Sequence, residues 1–229
     1  MSKPKLLRKD EYDALHFVRW VLFLIVAAES AGVENLSRHR LHALLFLSFA
    51  SSSYYSIKPL RQRAQRTEHG PYYRSAHLAL GNLTLGGLIN LSAFAPHPSP
   101  KDLQFEGTFS PTVAGLRVAE HLRATFTGEK LYQFLLDICL GTMAALDVAE
   151  RTLDTPSDPI IDRMLELDLS YRQALGRNEL TLRVIDTVDD TPLTVRGLQS
   201  IAGYLGHRMG VNHRDVLTAY QRLLKKRAA

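Results

Sequence analysis

Histidine, cysteine and serine side chains are the first candidates for chemistry in this sequence. It contains nine histidines and one cysteine, Cys139, but no His-Glu-x-x-His segment and no second thiol for a thiolate zinc site. His39 and His42 lie three residues apart and fit one face of a helix, where packing or exposure is a more common role than metal binding. Residues 51–53 are serines without the Gly-x-Ser-x-Gly pattern of a hydrolase. The residue types therefore predict no catalytic residue, no metal ligand and no cofactor.

Glycine motifs for phosphate binding are missing from the sequence as well. Neither Gly-x-x-x-x-Gly-Lys-Ser/Thr nor Gly-x-Gly-x-x-Gly occurs, so the chain carries no P-loop of the known kind. Cys139 stands between Ile138 and Leu140 in an apolar segment, which is typical of a buried, unreactive thiol. A small hydrolase or nuclease stays open as a minor alternative, because the acidic residues of the second half are scattered along amphipathic helices.

The basic residues are concentrated in one part of the chain. The formal net charge is +5, and through Gly115 there are 13 Lys and Arg against 8 Asp and Glu, while the rest of the chain is balanced. Between positions 38 and 77 the only acidic residue is Glu68, and the basic residues are Arg38, Arg40, Lys58, Arg61, Arg63, Arg66 and Arg74. Such a block attracts nucleic-acid phosphates or an acidic protein surface. We predict one of these two partners, and a solvated basic face is the alternative.

Helical periodicity in the first half predicts the elements that position this basic block. Apolar spacing predicts helices over 11–31, 37–53 and 72–88, followed by a β-hairpin within 89–111. Residues 54–70 are predicted to form an irregular basic loop. At its end, Gly70 and Pro71 form a predicted structural elbow, with Pro71 at the first position of the third helix. Three helices and a hairpin in this order predict a winged-helix-like domain.

The second half predicts a separate helical bundle. Helical patterns cover 112–126, 129–153, 160–175, 194–206 and 212–227. Charge balance and proline density both change near Ser110. The predicted fold class is therefore mainly α, with a winged-helix-like domain over residues 1–110 and a helical bundle domain over residues 111–229.

Composition also predicts where the protein is found. A single cysteine cannot form an internal disulfide, which is typical of a reducing cytoplasm. The richest apolar run covers residues 20–28, much shorter than the ~20 residues that a membrane-spanning helix needs. The basic residues near the N-terminus are not followed by the pattern of an export signal. We therefore expect a cytoplasmic protein without membrane contact.

Several short motifs in the first half resemble those of one group of bacterial proteins. They are Arg40-Leu41 with Leu-Leu-Phe-Leu at 44–47, His-Gly-Pro-Tyr-Tyr at 69–73 and Leu-Gly-Gly-Leu-Ile at 85–89. Together they resemble the pattern R-L-x-x-L-L-F-L … G-P-Y … L-x-x-x-G-L-I of winged-helix accessory proteins. This group includes the middle components of bacterial ABC-three-component systems and the accessory subunit of Lamassu-type anti-phage defence, and it is related to the Panacea antitoxin domain. The resemblance covers roughly residues 38–89.

The resemblance implies a non-catalytic adaptor subunit. In that family the subunit bridges a Rad50/SMC-like ATPase and a separate effector protein, often a nuclease, and helps the complex sense foreign DNA. Gly70 and Pro71 match the family elbow, where they are structural. Arg61, Arg63 and Arg66 match no motif position, so their assignment to DNA or partner binding depends on charge alone.

A winged-helix DNA-binding regulator or antitoxin is the alternative function. It would place the third predicted helix in a DNA groove, but that helix offers only Arg74, His77 and Asn82 for reading bases. The long stretch 54–70 also differs from the short turn of an ordinary helix-turn-helix. The sequence therefore favours the adaptor over direct reading of a DNA sequence.

Overall fold

The computed structural model describes residues 9–58, 60, 62–67, 70–96, 105–146, 159–176, 181–183, 191–206 and 210–228. This described part is mainly helical, as the composition and periodicity predict. Its α-helices in chain order are α1 Lys9–Ser30, α2 Arg38–Ser51, α3 Arg74–Leu85, α4 Val113–Arg123, α5 Phe126–Ala145, α6 Pro159–Leu167, α7 Leu169–Gly176, α8 Leu193–Gly206 and α9 His213–Ala228. A 3-10 helix, Ser52–Tyr55, follows α2 directly.

Two small antiparallel sheets accompany the helices. The strands are β1 Arg63–Thr67, β2 Gly70–Tyr72, β3 Ile89–Pro96, β4 Phe105–Pro111 and β5 Thr181–Arg183. One sheet has the order β2-β1-β5, and the other is the β3–β4 pair with a register shift between Ser92 and Ala95. The predicted hairpin within 89–111 is thus confirmed in its strands, and its tip at 97–104 lies outside the described residues. The winged-helix arrangement of these elements stays a prediction.

Helix α1 is the central element of the core. Every side chain from Trp20 to Ala28 is at most 5% exposed, so the helix is covered on all sides. It packs against α5, α3 and β4, and also against α2 and α4. A helix that is apolar all round is stable only when other elements surround it completely. The position of α1 therefore follows directly from its composition.

The core extends across the predicted boundary at residue 110. One hydrophobic cluster contains buried side chains from Phe17 to Leu224. Trp20 of α1 contacts Phe49 of α2 and Phe134 of α5, with ring centroids 5.2 and 6.2 Å apart. In addition, β5 from the second half pairs with β1 from the first. The predicted boundary between residues 1–110 and 111–229 therefore does not separate two cores.

The segment around Gly70 and Pro71 differs from the prediction. Residues 70–72 form strand β2, and α3 begins only at Arg74, so Pro71 is not the first residue of the third helix. Strand β2 lies at the edge of its sheet, where a residue without a backbone N–H is tolerated. The prediction of an irregular loop over 54–70 is also wrong, because this stretch contains the 3-10 helix and β1.

The helices of the second half deviate from the predictions mainly at their ends. The predicted helix 160–175 is divided into α6 and α7 at Asp168, whose carboxylate accepts hydrogen bonds from the backbone N–H groups of Ser170 and Tyr171. Helix α5 ends at Ala145 instead of 153, and residues 147–158 lie outside the described part. Helix α9 begins with a reciprocal cap: Asn212 Oδ1 accepts from the Asp215 N–H at 3.0 Å, and Asp215 Oδ2 accepts from the Asn212 N–H at 3.2 Å.

Candidate functional site

Strand β1 carries two of the predicted basic site residues on opposite faces. Arg63 and Arg66 are both exposed, while Ala64 between them is fully buried. Side chains alternate along a strand, so residues three apart point to opposite faces of the sheet. Ala64 faces the core. Arg66 lies on the same face of the sheet as Ala64 but is exposed to solvent, and Arg63 lies on the opposite face. The structure does not gather these two arginines into one patch on β1.

Arg40 belongs to the interior of the molecule. It is 3% exposed, and its Nη1 donates to the backbone carbonyl of Glu34 at 3.2 Å. Helix α2 has buried residues at almost every position, so even a charged side chain on this helix has little solvent exposure. Arg40 therefore supports the turn between α1 and α2, and its burial leaves little of its side chain accessible to an external partner.

The other predicted basic residues have different degrees of exposure. Lys58 and Arg74 are exposed and Arg38 is half-buried. Arg61 lies outside the described residues, so the structure gives no position for its side chain. Within the described part, the side chains of Lys58, Arg63, Arg66 and Arg74 form no ion pair. Their charges are available to an external anion.

One face of α3 presents apolar side chains to solvent. Ala76, Ala79, Leu80 and Leu83 are buried against the core. The opposite face carries Arg74, Leu78, Asn82 and Leu85. Leu78 is 60% exposed and Leu85 is 90% exposed, so this face presents two large apolar side chains to solvent. We refer to the four residues 74, 78, 82 and 85 as the α3 stripe.

The start of α4 extends this apolar surface at the end of α3. Thr112 caps α4 and donates its hydroxyl to the carbonyl of Gly87 at 2.7 Å, which fixes the α4 start beside the α3 end. Val113 and Leu116 in the first turn of α4 are 67% and 43% exposed. Leu85 lies two residues before Gly87, and we refer to Leu85, Val113 and Leu116 together as the apolar corner. Contiguous exposed apolar side chains are typical of a protein-binding surface.

His42 joins α2 to the elbow that precedes α3. Its Nδ1 accepts a hydrogen bond from the Tyr73 backbone N–H at 3.1 Å, and the two rings stack with an interplanar angle of 11°. Burial, together with the smaller effect of the neighbouring Arg38, His39 and His77, lowers the pKa of His42 to about 3. The imidazole is therefore neutral with its proton on Nε2, which is buried without a hydrogen-bond partner. His42 acts as a structural acceptor, and Tyr73 is fully buried with it.

The predicted burial of Cys139 is confirmed. Cys139 is fully buried in α5, and this burial raises the pKa of its thiol to about 12. At neutral pH the side chain is protonated and out of reach of any substrate. Among the described residues there is also no group of three or more histidine, cysteine or acidic side chains placed to hold a metal ion.

Two polar clusters in the structure have no counterpart in the sequence predictions. Fully buried Asp168 binds the hydroxyls of Thr194 and Tyr220, with Tyr220 donating to Oδ2 at 2.8 Å. Nearer the surface, Asp137 of α5 pairs with Arg214 Nε at 2.5 Å and accepts from Tyr55 at 3.2 Å. The paired residues lie between 26 and 82 positions apart, so spacing along the chain gives no signal for either cluster.

Comparison with models of protein families, with curated proteins and with solved structures finds no match for this chain. The structure adds one further general finding: no helix in the described ranges has both the length and the apolar composition that crossing a membrane requires. The function must therefore be argued from the surfaces described above and from the motif resemblance.

Proposed function

We propose that this protein is a non-catalytic adaptor subunit of a cytoplasmic anti-phage defence complex. In this proposal it bridges a Rad50/SMC-like ATPase and an effector protein. The motif resemblance over residues 38–89 suggests this class of function. The observation that carries the proposal is the α3 stripe, because it exposes two leucines on the helix that a winged-helix regulator would insert into DNA.

The chemistry of the α3 stripe favours a protein partner over a DNA groove. Base edges in the major groove are read by hydrogen-bonding side chains, and the stripe offers Arg74 and Asn82 with Leu78 and Leu85 between and beyond them. Two exposed leucines, together with the exposed Val113 and Leu116 at the start of α4, suit an apolar protein surface. The regulator or antitoxin is therefore the second candidate, and it is distinguished by experiment.

The exposed basic residues take a supporting role in the proposal. Arg63, Arg66 and Lys58 are exposed without ion pairs in the described part of the chain, and Arg74 stands at one end of the α3 stripe. They supply long-range attraction to DNA phosphates or to an acidic partner surface. Contacts of this kind weaken as salt increases, whereas apolar contacts at the stripe do not.

A substitution in the α3 stripe tests the proposal. We expect the double variant Leu78→Glu, Leu85→Glu to lose its partner protein in affinity purification from the native host, because charges replace the apolar contacts. The matched control Phe126→Glu, Leu223→Glu changes two apolar residues elsewhere on the surface, which are 85% and 40% exposed. We expect this control to retain the partner protein in the same purification. Both variants are expected to melt within a few degrees of the wild type, because surface substitutions cost roughly 0.5 kcal/mol or less. Equal retention by wild type and stripe variant would contradict the docking role.

A further inference from the structure

A cavity of about 410 Å³ lies between α6, α7 and α9. Arg163, Glu166 and Leu167 come from α6, Arg172 and Leu175 from α7, and Arg227 and Ala228 from the end of α9. The volume falls within the roughly 300–1,000 Å³ of small-molecule sites. Neither the motif resemblance nor the α3 stripe involves these residues.

The described lining of the cavity has a net positive charge. Among these described residues, three arginines face one carboxylate, that of Glu166, and all four residues are exposed. In the ranges that the structure describes, none of these four side chains forms an ion pair, although Arg123 and Arg214 elsewhere pair with carboxylates at 2.9 and 2.5 Å. Three cations around one cavity repel each other, and a bound anion removes that repulsion.

The floor of the cavity is aliphatic. Leu167 and Leu175 are partly buried and pack against the hydrophobic core, so the cavity combines a guanidinium rim with an apolar base. Guanidinium groups bind phosphate and carboxylate oxygens through paired N–H donors. An inorganic anion would use only the rim, whereas an organic phosphate uses both the rim and the floor.

The walls of the cavity are held in place by the buried Asp168 network. Asp168 lies at the junction of α6 and α7, and Tyr220 of α9 donates to its Oδ2 at 2.8 Å and accepts from the Leu169 N–H at 3.3 Å. Leu167 precedes this junction directly, and the backbone N–H of Arg172 donates to the Asp168 carbonyl at 2.9 Å. All three helices of the cavity thus meet at one buried carboxylate. Such support keeps a binding site in a fixed geometry before the ligand arrives.

We propose that this cavity is a binding site for a small organic phosphate, with the phosphoryl group between Arg163, Arg172 and Arg227 and the organic part on Leu167 and Leu175. The site is independent of the proposed adaptor function, because it shares no residue with the α3 stripe. It gives the second half of the chain a ligand-binding role of its own.

Calorimetric titration of the purified full-length chain with adenosine monophosphate and with inorganic phosphate tests the site. We expect adenosine monophosphate to bind with a Kd below about 1 mM and about tenfold more tightly than inorganic phosphate, because only the former contacts the apolar floor. Equal affinity of the two probes, or no binding of either, would overturn the proposal.

A matched pair of variants separates the cavity from general electrostatic attraction. Arg172→Gln, Arg227→Gln removes two cavity arginines, and we expect it to weaken adenosine monophosphate binding by about tenfold or more. Arg222→Gln, Lys226→Gln removes the same charge from exposed positions of α9 outside the cavity and is expected to bind within about twofold of the wild type. Equal losses in the two variants would show a diffuse basic surface and overturn the site. A short single-stranded oligonucleotide that binds more tightly than adenosine monophosphate, with the same loss in both variants, would also overturn it.

Discussion

His42 is a buried histidine that links two elements instead of performing chemistry. Its spacing from His39 predicts a shared helix face, where a packing or surface role is more common than metal binding. The structure buries His42 and hydrogen-bonds its Nδ1 to the backbone of Tyr73. The sequence gives no indication of this contact, because the partner lies 31 residues away. The burial of Arg40 can be inferred from the sequence, because α2 is apolar on nearly all sides. Such a helix has no solvent-facing side on which a charged residue could lie.

The buried state of His42 predicts an acid-sensitive fold. Its pKa is about 3 in the folded chain and 6.5 unperturbed, so between these values the unfolded chain binds a proton that the folded chain does not. Stability contributed by neutral His42 is therefore present above pH 6.5 and is lost as the pH falls toward 3. Between pH 7 and pH 5 we expect the wild type to lose about 2 kcal/mol more unfolding free energy than His42→Gln, which keeps an acceptor but does not titrate. Urea unfolding at the two pH values measures this difference, and identical pH dependence in both proteins would contradict it.

At the scale of elements, the helices were more predictable than the strands. Helices α1, α2, α8 and α9 follow from apolar periodicity and caps, both of which are local signals. Strands β1 and β5 pair across more than 110 residues of sequence, and β5 has only three residues, so neither produces a local pattern. Pro71 was predicted to begin a helix because it fits a first helical position, but it fits an edge strand equally well. The α3 stripe depends on which face of α3 the core covers, and periodicity alone does not determine this.

Close packing of α4 against the turn after α3 depends on Gly115. A Cβ atom at this position would lie 2.0 Å from the backbone carbonyl oxygen of Leu88, so alanine would push α4 away. We expect Gly115→Ala to lower the free energy of unfolding by about 2 kcal/mol. Gly81 in α3 has open space around its Cβ position, and Gly81→Ala should raise stability by about 0.5–1 kcal/mol through helix propensity. Urea denaturation of the two variants gives the comparison, and a loss in both or a gain in both would contradict the described packing.

At the scale of the whole molecule, the two halves of the sequence differ in charge but share a core. The first half carries the excess positive charge and the second half is balanced, and this difference predicts two domains. Charge, however, describes only the surface of the molecule. Helix α1 contacts elements from both halves, and the hydrophobic cluster continues from Phe17 to Leu224. Composition along the chain cannot show this, because sharing of a core depends on contacts between distant segments.

A shared core predicts that both halves unfold together. Trp20 is the only tryptophan and contacts Phe49 and Phe134, so its fluorescence reports on the interface between the halves. Far-ultraviolet circular dichroism reports on all helices. We expect the two signals to give coincident urea transitions with a single midpoint, as in a two-state protein. Loss of tryptophan fluorescence well before loss of helix would show that the halves separate first and would contradict a shared core.

The central claim is that the chain acts by joining other proteins, and the most direct measurement is affinity purification of the tagged chain from its native host. Mass spectrometry of the bound material at low and at moderate salt identifies the partners. We expect a Rad50/SMC-like ATPase that stays bound at both salt concentrations, because the leucines of the α3 stripe hold it, while any bound DNA is lost as salt rises. A chain that purifies without a partner protein but retains DNA at low salt would contradict the adaptor function and favour the DNA-binding regulator.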